Sequence, residues 1–205
     1  MDLKALNKIS YGVFLLSTEA EGKVNACITN TLMQVTAQPL RVAVTCINAN
    51  YTCELLKKSG VFAITVLDKT CTFETIKHFG MQSGRDVDKF EFISLPKDTQ
   101  GLPYLGWQSC AEFSCKVVDQ IDLGSHTLFI ADVLDSMMLS ENEPMTYAYY
   151  HESVKPKPKA AAEKRRIKGW RCRICGYVYE GESLPGSYLC PICGHDASDF
   201  EPIYE

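Results

Sequence analysis

The sequence has no run of about 20 apolar residues, the length that a helix needs to cross a bilayer. Its longest wholly apolar runs are as short as Val13 to Leu16, and the first ten residues lack the apolar centre of a secretory signal. We therefore predict a cytoplasmic protein that has no membrane contact.

Familiar phosphate-binding loops are missing as well. No G-x-G-x-x-G motif follows a predicted strand and no G-x-x-x-x-G-K-[ST] motif occurs, so a dinucleotide-binding fold and a P-loop are unsupported. The one strongly basic stretch, residues 151–168, carries seven basic and two acidic groups but no interleaved aromatic side chains. We predict a solvated linker there and no nucleic-acid binding.

A disulfide framework is a further feature that the ten cysteines do not support. Four of them form two C-x-x-C pairs, and the other six show no pairing pattern: Cys27, Cys46, Cys53, Cys71, Cys110 and Cys115. Scattered thiols of this kind are typical of a reducing compartment.

What the chain does have is enough apolar sequence for two folded units. Its 205 residues are 46% apolar and 22% charged, which is ordinary for soluble domains. Residues 1–150 carry 12 basic and 17 acidic side chains, and residues 169–205 carry two basic and six acidic ones. We predict a large domain over 1–150, a flexible linker over 151–168 and a small module over 169–205.

β-Branched and aromatic segments dominate residues 1–150 and predict a mainly β domain. Six strands are expected, in ISYGVFLLST, KVNACIT, RVAVTCI, VFAITVL, EFSCKVVDQI and HTLFIADVL, and their spacing suggests a barrel. Two short helices are expected between them. One runs from an N-cap at Asn50 to a stop at Gly60, and the other from an N-cap at Thr70 to a stop at Gly80.

Two polar clusters interrupt the apolar pattern, and each has two interpretations. Asn48, Asn50 and Thr52 surround the start of the first helix, whose free backbone N–H groups either bind a phosphate or are simply capped. A polar run after the second strand either contacts the edge of a planar heterocycle or forms a polar loop. It comprises Thr29, Asn30, Thr31, Gln34 and Thr36.

The segment NACITNTLMQVTAQPLRVAVTCINANYTCELLKKSGVFAITVL resembles the signature of the flavin-reductase-like FMN-binding domains. The stretches FGMQSGRDVDKF, GSHTLFIADVLD and MTYAYYH continue the likeness, which covers residues 1–151. The resemblance implies a split β-barrel, an FMN cofactor, a nicotinamide cosubstrate and a homodimer. It also implies that the isoalloxazine and ribityl chain are lined by the turn of Cys27, Ile28, Thr29, Asn30 and Thr31, with Asn48, Asn50 and Thr52 near the phosphate.

Three residues of this resemblance carry separate alternatives. Arg85 would supply a charge to the phosphate or to the nicotinamide, or else form a surface ion pair with Asp86 or Asp88. His126 would lie close to the flavin face, or else only cap a strand. Cys27 has no cysteine at C-x-x-C distance, so we assign it a packing role and no redox chemistry.

Two C-x-x-C-G turns, Cys172 with Cys175 and Cys190 with Cys193, have fourteen residues between them. Four thiolates in such turns meet in a tetrahedron that suits zinc or iron. The glycine after each pair permits the positive φ that directs backbone N–H groups at the sulfurs. The spacing therefore predicts a metal site and leaves zinc and iron open.

Aromatic residues flank this site: Trp170, Tyr177, Tyr179 and Phe200. Together with CRICGYVYEG and CPICG they resemble a rubredoxin of the short form appended to rubrerythrins, which implies iron. The order of the two domains is similar to that of the high-molecular-weight rubredoxins, which implies a route from NAD(P)H through FMN to Fe(Cys)4 and on to a flavodiiron protein. A flavin suits this route because it takes a hydride and releases electrons singly.

Two alternatives of other classes stay open at this point. One is a non-enzymatic electron carrier whose flavin is reduced by another protein. The other is a flavin reductase that uses a zinc ribbon as a docking module. The sequence does not distinguish NADH from NADPH.

Overall fold

The computed structural model describes residues 2–157 and 167–204 and divides into two compact units, Met1–Lys155 and Pro156–Glu205. Each unit is built on its own antiparallel sheet, so the predicted mainly β fold with a small second module is confirmed. Among the helices of the described residues, none combines the length and the apolar character that crossing a membrane requires.

The first unit contains a seven-stranded sheet with the order β2-β1-β5-β6-β7-β4-β3. Its strands are β1 Phe14–Ala20, β2 Lys23–Thr29, β3 Leu32–Ala37, β4 Leu40–Ile47, β5 Val61–Leu67, β6 Ser109–Asp122 and β7 His126–Met138. The sheet curls on itself, so that the Thr29 hydroxyl at the end of β2 donates to the Thr45 carbonyl of β4 over 3.1 Å. This closure between distant members of the strand order gives the split barrel.

Short helices connect the strands of this unit. A 3-10 helix spans Leu3–Lys8, α1 spans Tyr51–Ser59, α2 spans Phe73–Gly80, and α3 spans Tyr147–Tyr149 and continues into a π-helical turn, Tyr150–Val154. The predicted ends of α1 are confirmed. The Asn50 side chain accepts a hydrogen bond from the Thr52 N–H, and Gly60, at a φ of 66°, donates its N–H to the Leu56 carbonyl.

The predicted ends of α2 and the predicted strand count were wrong. Thr72, not Thr70, is the N-cap, because Thr70 is turned back to donate to the Asp68 carboxylate before the helix begins. Gly80 is the last residue of the helix, and its C-cap is Met81. β3 was missed because it is an exposed edge strand without apolar alternation, and it takes up Gln34 and Thr36 of the predicted polar loop.

The linker that was predicted to begin at His151 differs in its first residues. His151 belongs to the π-helical turn, its ring lies 4.5 Å from that of Tyr147, and the backbone N–H of Lys155 donates to the Tyr150 carbonyl. Aromatic packing therefore extends the first unit beyond residue 150. Residues 158–166 of the predicted linker lie outside the described residues, and its flexibility stays a prediction.

Packing in the first unit fixes the position of the start of α1 relative to the strands. One apolar cluster joins the strands to α1 and includes Leu16, Val44, Leu56, Phe62 and Phe129, while a second surrounds α2. Fully burying a side chain of this size contributes about 1.5–3 kcal/mol. The first turn of α1 is thereby held beside the ends of β2 and β4, and we call these three segments, residues 27–31, 45–48 and 50–54, the barrel seam.

The second unit is a three-stranded sheet with the order β10-β8-β9. It consists of β8 Ile167–Cys172, β9 Val178–Glu180 and β10 Phe200–Tyr204, with a 3-10 turn at Ala197–Asp199. Its core is small and joins Cys172 and Cys190 to aromatic rings, among which Tyr188 contacts both Tyr179 and Phe200. A core of this size depends on the cysteine cluster for its stability.

Candidate functional site

The four cysteines of the C-x-x-C turns converge in the second unit, as their spacing predicted. Their sulfur atoms all lie within 4.8 Å of one another, with 3.6 Å between those of Cys172 and Cys193 and 3.4 Å between those of Cys175 and Cys190. A tetrahedral metal with bonds of about 2.3 Å to sulfur requires sulfur separations of about 3.8 Å. The arrangement therefore fits a single metal ion.

The two turns that carry the cysteines have the same geometry. Gly176 and Gly194 have φ values of 79° and 73°, and their N–H groups donate to the Cys172 and Cys190 carbonyls. In this conformation the backbone N–H groups of Ile174 and Cys175 point to the Cys172 sulfur. Such hydrogen bonds stabilise thiolates that ligate a metal.

Without a bound cation, the thiols of this cluster do not all ionise together. A hydrogen bond from Cys193 lowers the pKa of Cys172 to about 5, whereas the pKa of Cys193 is raised by the same bond. Burial raises the pKa of Cys175 to about 12. Four thiolates therefore need a bound cation, and its binding releases protons.

The polar turn after β2 closes the seam as a hydroxyl cluster. The Thr29 and Thr31 hydroxyls both donate to the Thr45 carbonyl, over 3.1 and 3.3 Å, and lie 3.2 Å from each other. Residues 28–31 are half-buried. Gln34 and Thr36 are not part of this cluster, because they lie on exposed β3 and contact residues of their own hairpin.

Asn48 joins the end of β4 to the hairpin between β6 and β7. Its side-chain amide donates to the Gly124 carbonyl over 2.7 Å and to the Asp122 carboxylate over 3.2 Å. Its side-chain carbonyl accepts from the Thr127 hydroxyl over 2.6 Å and from the Lys57 ammonium over 3.1 Å. Because both ends of the carboxamide are engaged, Asn48 holds the seam in place, and its contact with a phosphate stays a prediction.

His126 lies at the same end of the barrel. It is the first residue of β7 and pairs with Ile47, the last residue of β4. Its half-buried ring places Nδ1 2.8 Å from the Ser125 hydroxyl, and the Ser125 carbonyl accepts from the Asn48 N–H. The structure thus puts His126 beside the seam, where both of its predicted roles remain compatible with its position.

Arg85 lies at the first turn of α1. Its guanidinium donates to the Glu54 carboxylate over 2.8 Å and to the Ala49 carbonyl over 3.1 Å, and it stacks over the Tyr51 ring. An ion pair was expected as an alternative, but its partner is Glu54 and not Asp86 or Asp88. A charge from a loop is thereby brought to the start of a helix, where backbone N–H groups favour anions.

Three cysteines meet inside the barrel beneath this turn. Cys27 of β2, Cys46 of β4 and Cys53 of α1 are buried in one apolar cluster. A hydrogen bond from Cys46 lowers the pKa of Cys27, and another lowers that of Cys53. The three cysteines are too far apart in the sequence for this contact to be predicted. Their burial fits the packing role assigned to Cys27.

Sequence reasoning missed four residues that position the site: Asn25, Thr45, Glu54 and Lys89. Asn25 and Thr45 could have been noticed as polar residues inside apolar strands. Glu54 gives no sequence signal beyond its place in the first helical turn. Lys89 is buried, and its ammonium donates to the Ala26 and Phe79 carbonyls over 2.7 Å each, while desolvation lowers its pKa.

The seam offers the groups that a phosphorylated planar cofactor needs. Half-buried hydroxyls lie at the turn after β2, the first turn of α1 is bonded to Asn25 of the same strand, and Arg85 reaches that helix start. Hydroxyls can bond the edge of a heterocycle, and an arginine with helical N–H groups can hold a phosphate. A flavin therefore fits the donor set, and the binding of its phosphate at Arg85 stays a prediction.

Comparison with protein families divides the chain in the same way. The model of the flavin reductase like domain matches residues 6–157. The model of the rubrerythrin, rubredoxin-like domain matches residues 170–201, which include all four cysteines of the metal cluster.

Individual relatives carry one or both of these parts. A high molecular weight rubredoxin of Moorella thermoacetica is 33% identical over 99% of this chain and 100% of its own length. The ferric-chelate reductase (NAD(P)H) of Archaeoglobus fulgidus is 34% identical over 79% of this chain and 96% of its own. In structure, the styrene monooxygenase flavin reductase of Pseudomonas putida S12 has a TM-score of 0.56 and 26% identity, covering 69% of this chain and 88% of the other.

Proposed function

The chain belongs to the flavin reductase like family and, along nearly its whole length, to the high molecular weight rubredoxins, and we propose that it is an NAD(P)H-dependent oxidoreductase that passes electrons from the nicotinamide through FMN to a Fe(Cys)4 centre. One observation carries the proposal. A single chain joins the flavin reductase fold to four sulfurs whose separations of 3.4 and 3.6 Å fit one metal ion.

The residues of the seam would hold the flavin and the nicotinamide. Thr29, Asn30 and Thr31 would bond the edge of the ring system, and Arg85 would hold the phosphate. His126 would lie beside the ring face. The flavin, when bound, supplies a group that accepts two electrons as a hydride and gives them up singly. The protein contributes position and fixed hydrogen-bond donors to this chemistry.

Iron is the metal that suits the second unit, because a flavin neighbour has a use for a one-electron centre. Cys172 and Cys190 are buried, whereas Cys175 and Cys193 are partly exposed, so the cluster has one open edge. Exposed Ile192 lies between two cysteines on the chain. This edge would face the electron acceptor.

For the acceptor we propose a flavodiiron protein, a class that comes with the resemblance to high-molecular-weight rubredoxins. Residues 169–205 carry two basic and six acidic side chains, so a basic docking face on the acceptor would be complementary. We also propose a cytoplasmic homodimer. Exposed apolar side chains on the long β6–β7 hairpin and on β3 would be covered by a second copy: Met33, Val35, Ile121, Leu134, Met137 and Met138.

An absorption spectrum of the iron-replete protein, taken before and after anaerobic NADH or NADPH, tests the route. Flavin and ferric-thiolate bands that both bleach are expected, together with one iron per chain in a metal assay. Extraction and chromatography of the flavin would identify it as FMN. A colourless site that contains only zinc would contradict the route. Flavin that no nicotinamide reduces would instead indicate a carrier that another protein reduces.

Two relatives favour a second candidate, a flavin reductase that acts without the metal. The ferric-chelate reductase of A. fulgidus matches along 96% of its own length, and the P. putida flavin reductase shares the barrel. In that case reduced flavin or a ferric chelate would take the electrons directly from the first unit. A variant without the metal cluster would then keep its full rate with the physiological acceptor.

A further inference from the structure

The ion pair between Arg85 and Glu54 lies where the proposed flavin phosphate would bind. The Arg85 Nη2 atom is 2.8 Å from Glu54 Oε2, and Nη1 donates to the Ala49 carbonyl. Both charged side chains are nearly half exposed, at 46% and 42%. A pair so open to solvent is weak and can exchange partners at little cost.

The loop that carries Arg85 is fixed more firmly than the arginine head group. Lys89 anchors one end of this loop through its two buried hydrogen bonds to Ala26 and Phe79. At the other end, the backbone of Gly84 packs so closely on the Asn25 carboxamide that a Cβ atom would lie 2.2 Å from Asn25 Oδ1. The base of Arg85 is therefore held at the start of α1, while its guanidinium remains free to change partner.

Glu54 and a phosphate would both be attracted to the Arg85 guanidinium and to the positive end of the α1 dipole. Glu54 lies in the first turn of α1, where the helix dipole favours a carboxylate, and its pKa is lowered first by the hydrogen bond from Arg85. A phosphate carries more negative charge than a carboxylate and binds the same planar guanidinium fork. The two anions would repel each other if both stayed at this end of the helix.

We infer that Glu54 is a specificity-determining residue that occupies Arg85 in place of the flavin phosphate and must release it when a phosphorylated flavin binds. This inference rests on the proposed function, since it assigns the phosphate to Arg85. The effect of Glu54 on binding therefore differs between flavins with and without a phosphate. Binding of FMN includes the cost of breaking the Glu54–Arg85 pair, whereas binding of riboflavin, which has no phosphate, leaves the pair intact.

Flavin titrations of the metal-loaded full chain, stripped of flavin, test the inference. We expect Glu54→Gln to tighten FMN binding about three- to fivefold and to leave riboflavin binding unchanged. Arg85→Gln is expected to weaken FMN binding towards that of riboflavin, and in that background the gain from Glu54→Gln should be smaller than in the wild type. Glu74→Gln is the matched control, since Glu74 is an exposed glutamate in the first turn of α2, and neither flavin should respond to it.

The outcomes separate this inference from the function on which it rests. If wild-type protein binds neither FMN nor riboflavin, the proposed function fails. If both flavins bind and Arg85→Gln lowers the FMN affinity alone, but Glu54→Gln leaves the ratio of the two affinities unchanged or lowers it, the role of Glu54 is overturned. If Arg85→Gln weakens both flavins equally, the phosphate does not bind at this arginine, and the inference fails with it.

Discussion

The side-chain amide of Asn25 donates a 2.9 Å hydrogen bond to the hydroxyl of Thr52, and both side chains are buried. This bond ties β2 to the first turn of α1. The loop before Arg85 packs against the same amide through the backbone of Gly84. The strand β2, the first turn of α1 and the loop that carries Arg85 therefore meet at one buried polar contact.

Replacing Gly84 with alanine should disturb this contact. The added methyl carbon would lie 2.2–2.7 Å from the three outer atoms of the Asn25 carboxamide, so either the amide or the loop must move. We expect FMN affinity to fall about tenfold, because a displaced loop carries Arg85 with it. Fluorescence titration with FMN measures the effect. Gly186→Ala, where a Cβ meets nothing within 4 Å, is the control, and equal behaviour of the two variants would contradict the packing.

Replacing Lys89 with methionine should lower the free energy of unfolding by about 2–3 kcal/mol. The change removes both hydrogen bonds of the buried ammonium and leaves the Ala26 and Phe79 carbonyls without a donor. Urea unfolding followed by fluorescence measures the loss. Lys77→Met on the exposed face of α2 provides the comparison, and no difference between these two variants would mean that water replaces Lys89 without cost.

Features set by neighbouring residues could be predicted from the sequence. The start and end of α1 follow from Asn50 and Gly60, and β5 matches VFAITVL at both ends, because capping and β-propensity act locally. The four cysteines were found because a short turn fixes each pair. The same logic failed at α2, where a carboxylate two residues away captured the predicted cap Thr70.

Contacts across the barrel could not be predicted from local patterns. Glu54 and Arg85 are 31 residues apart, and only the packing of the loop against β2 and α1 brings them together. The meeting of Cys27, Cys46 and Cys53 likewise depends on closure of the sheet. β3 was missed because burial creates apolar alternation, and this strand is exposed.

The stability of the first unit should depend on pH through Glu112. This β6 side chain is only 2% exposed, and its Oε1 atom has no hydrogen-bond partner among the described residues. Burial, with Asp98 and Asp135 nearby, raises its pKa from 4.5 to about 7. Between these two values the folded state holds the proton that the unfolded state has released, so stability falls as the pH rises from about 4.5 to about 7.

Glutamine at this position removes the titration. At pH 8 we expect Glu112→Gln to be more stable than the wild type, by at most about 3 kcal/mol, and to be no more stable at pH 4. Denaturant titrations at several pH values measure this, with exposed Glu141→Gln as the control. A wild-type curve that stays flat between pH 4.5 and 7 would contradict the assignment.

Loss of one metal ligand should separate the two redox parts of the protein. Cys172→Ser removes a buried thiolate from the group of four, so we expect loss of the iron and of the ferric-thiolate bands. Flavin reduction by the nicotinamide should continue at its normal rate. Metal analysis and stopped-flow absorbance measure both properties. Cys110→Ser, a buried cysteine of β6 outside the group, should change neither, and retention of iron by Cys172→Ser would contradict the four-thiolate site.

Shortening the linker should slow electron transfer to the iron without affecting hydride transfer. Deletion of Ala160, Ala161 and Ala162 removes no charge and shortens the maximal reach by about 10 Å. Residues 151–155 are left in place because they belong to the first unit. Stopped-flow traces at flavin and iron wavelengths measure the two steps, with the same three residues changed to glycine as a control of equal length. If the deletion slows flavin reduction as much as iron reduction, its effect lies in hydride transfer. That outcome would contradict the role proposed for the linker.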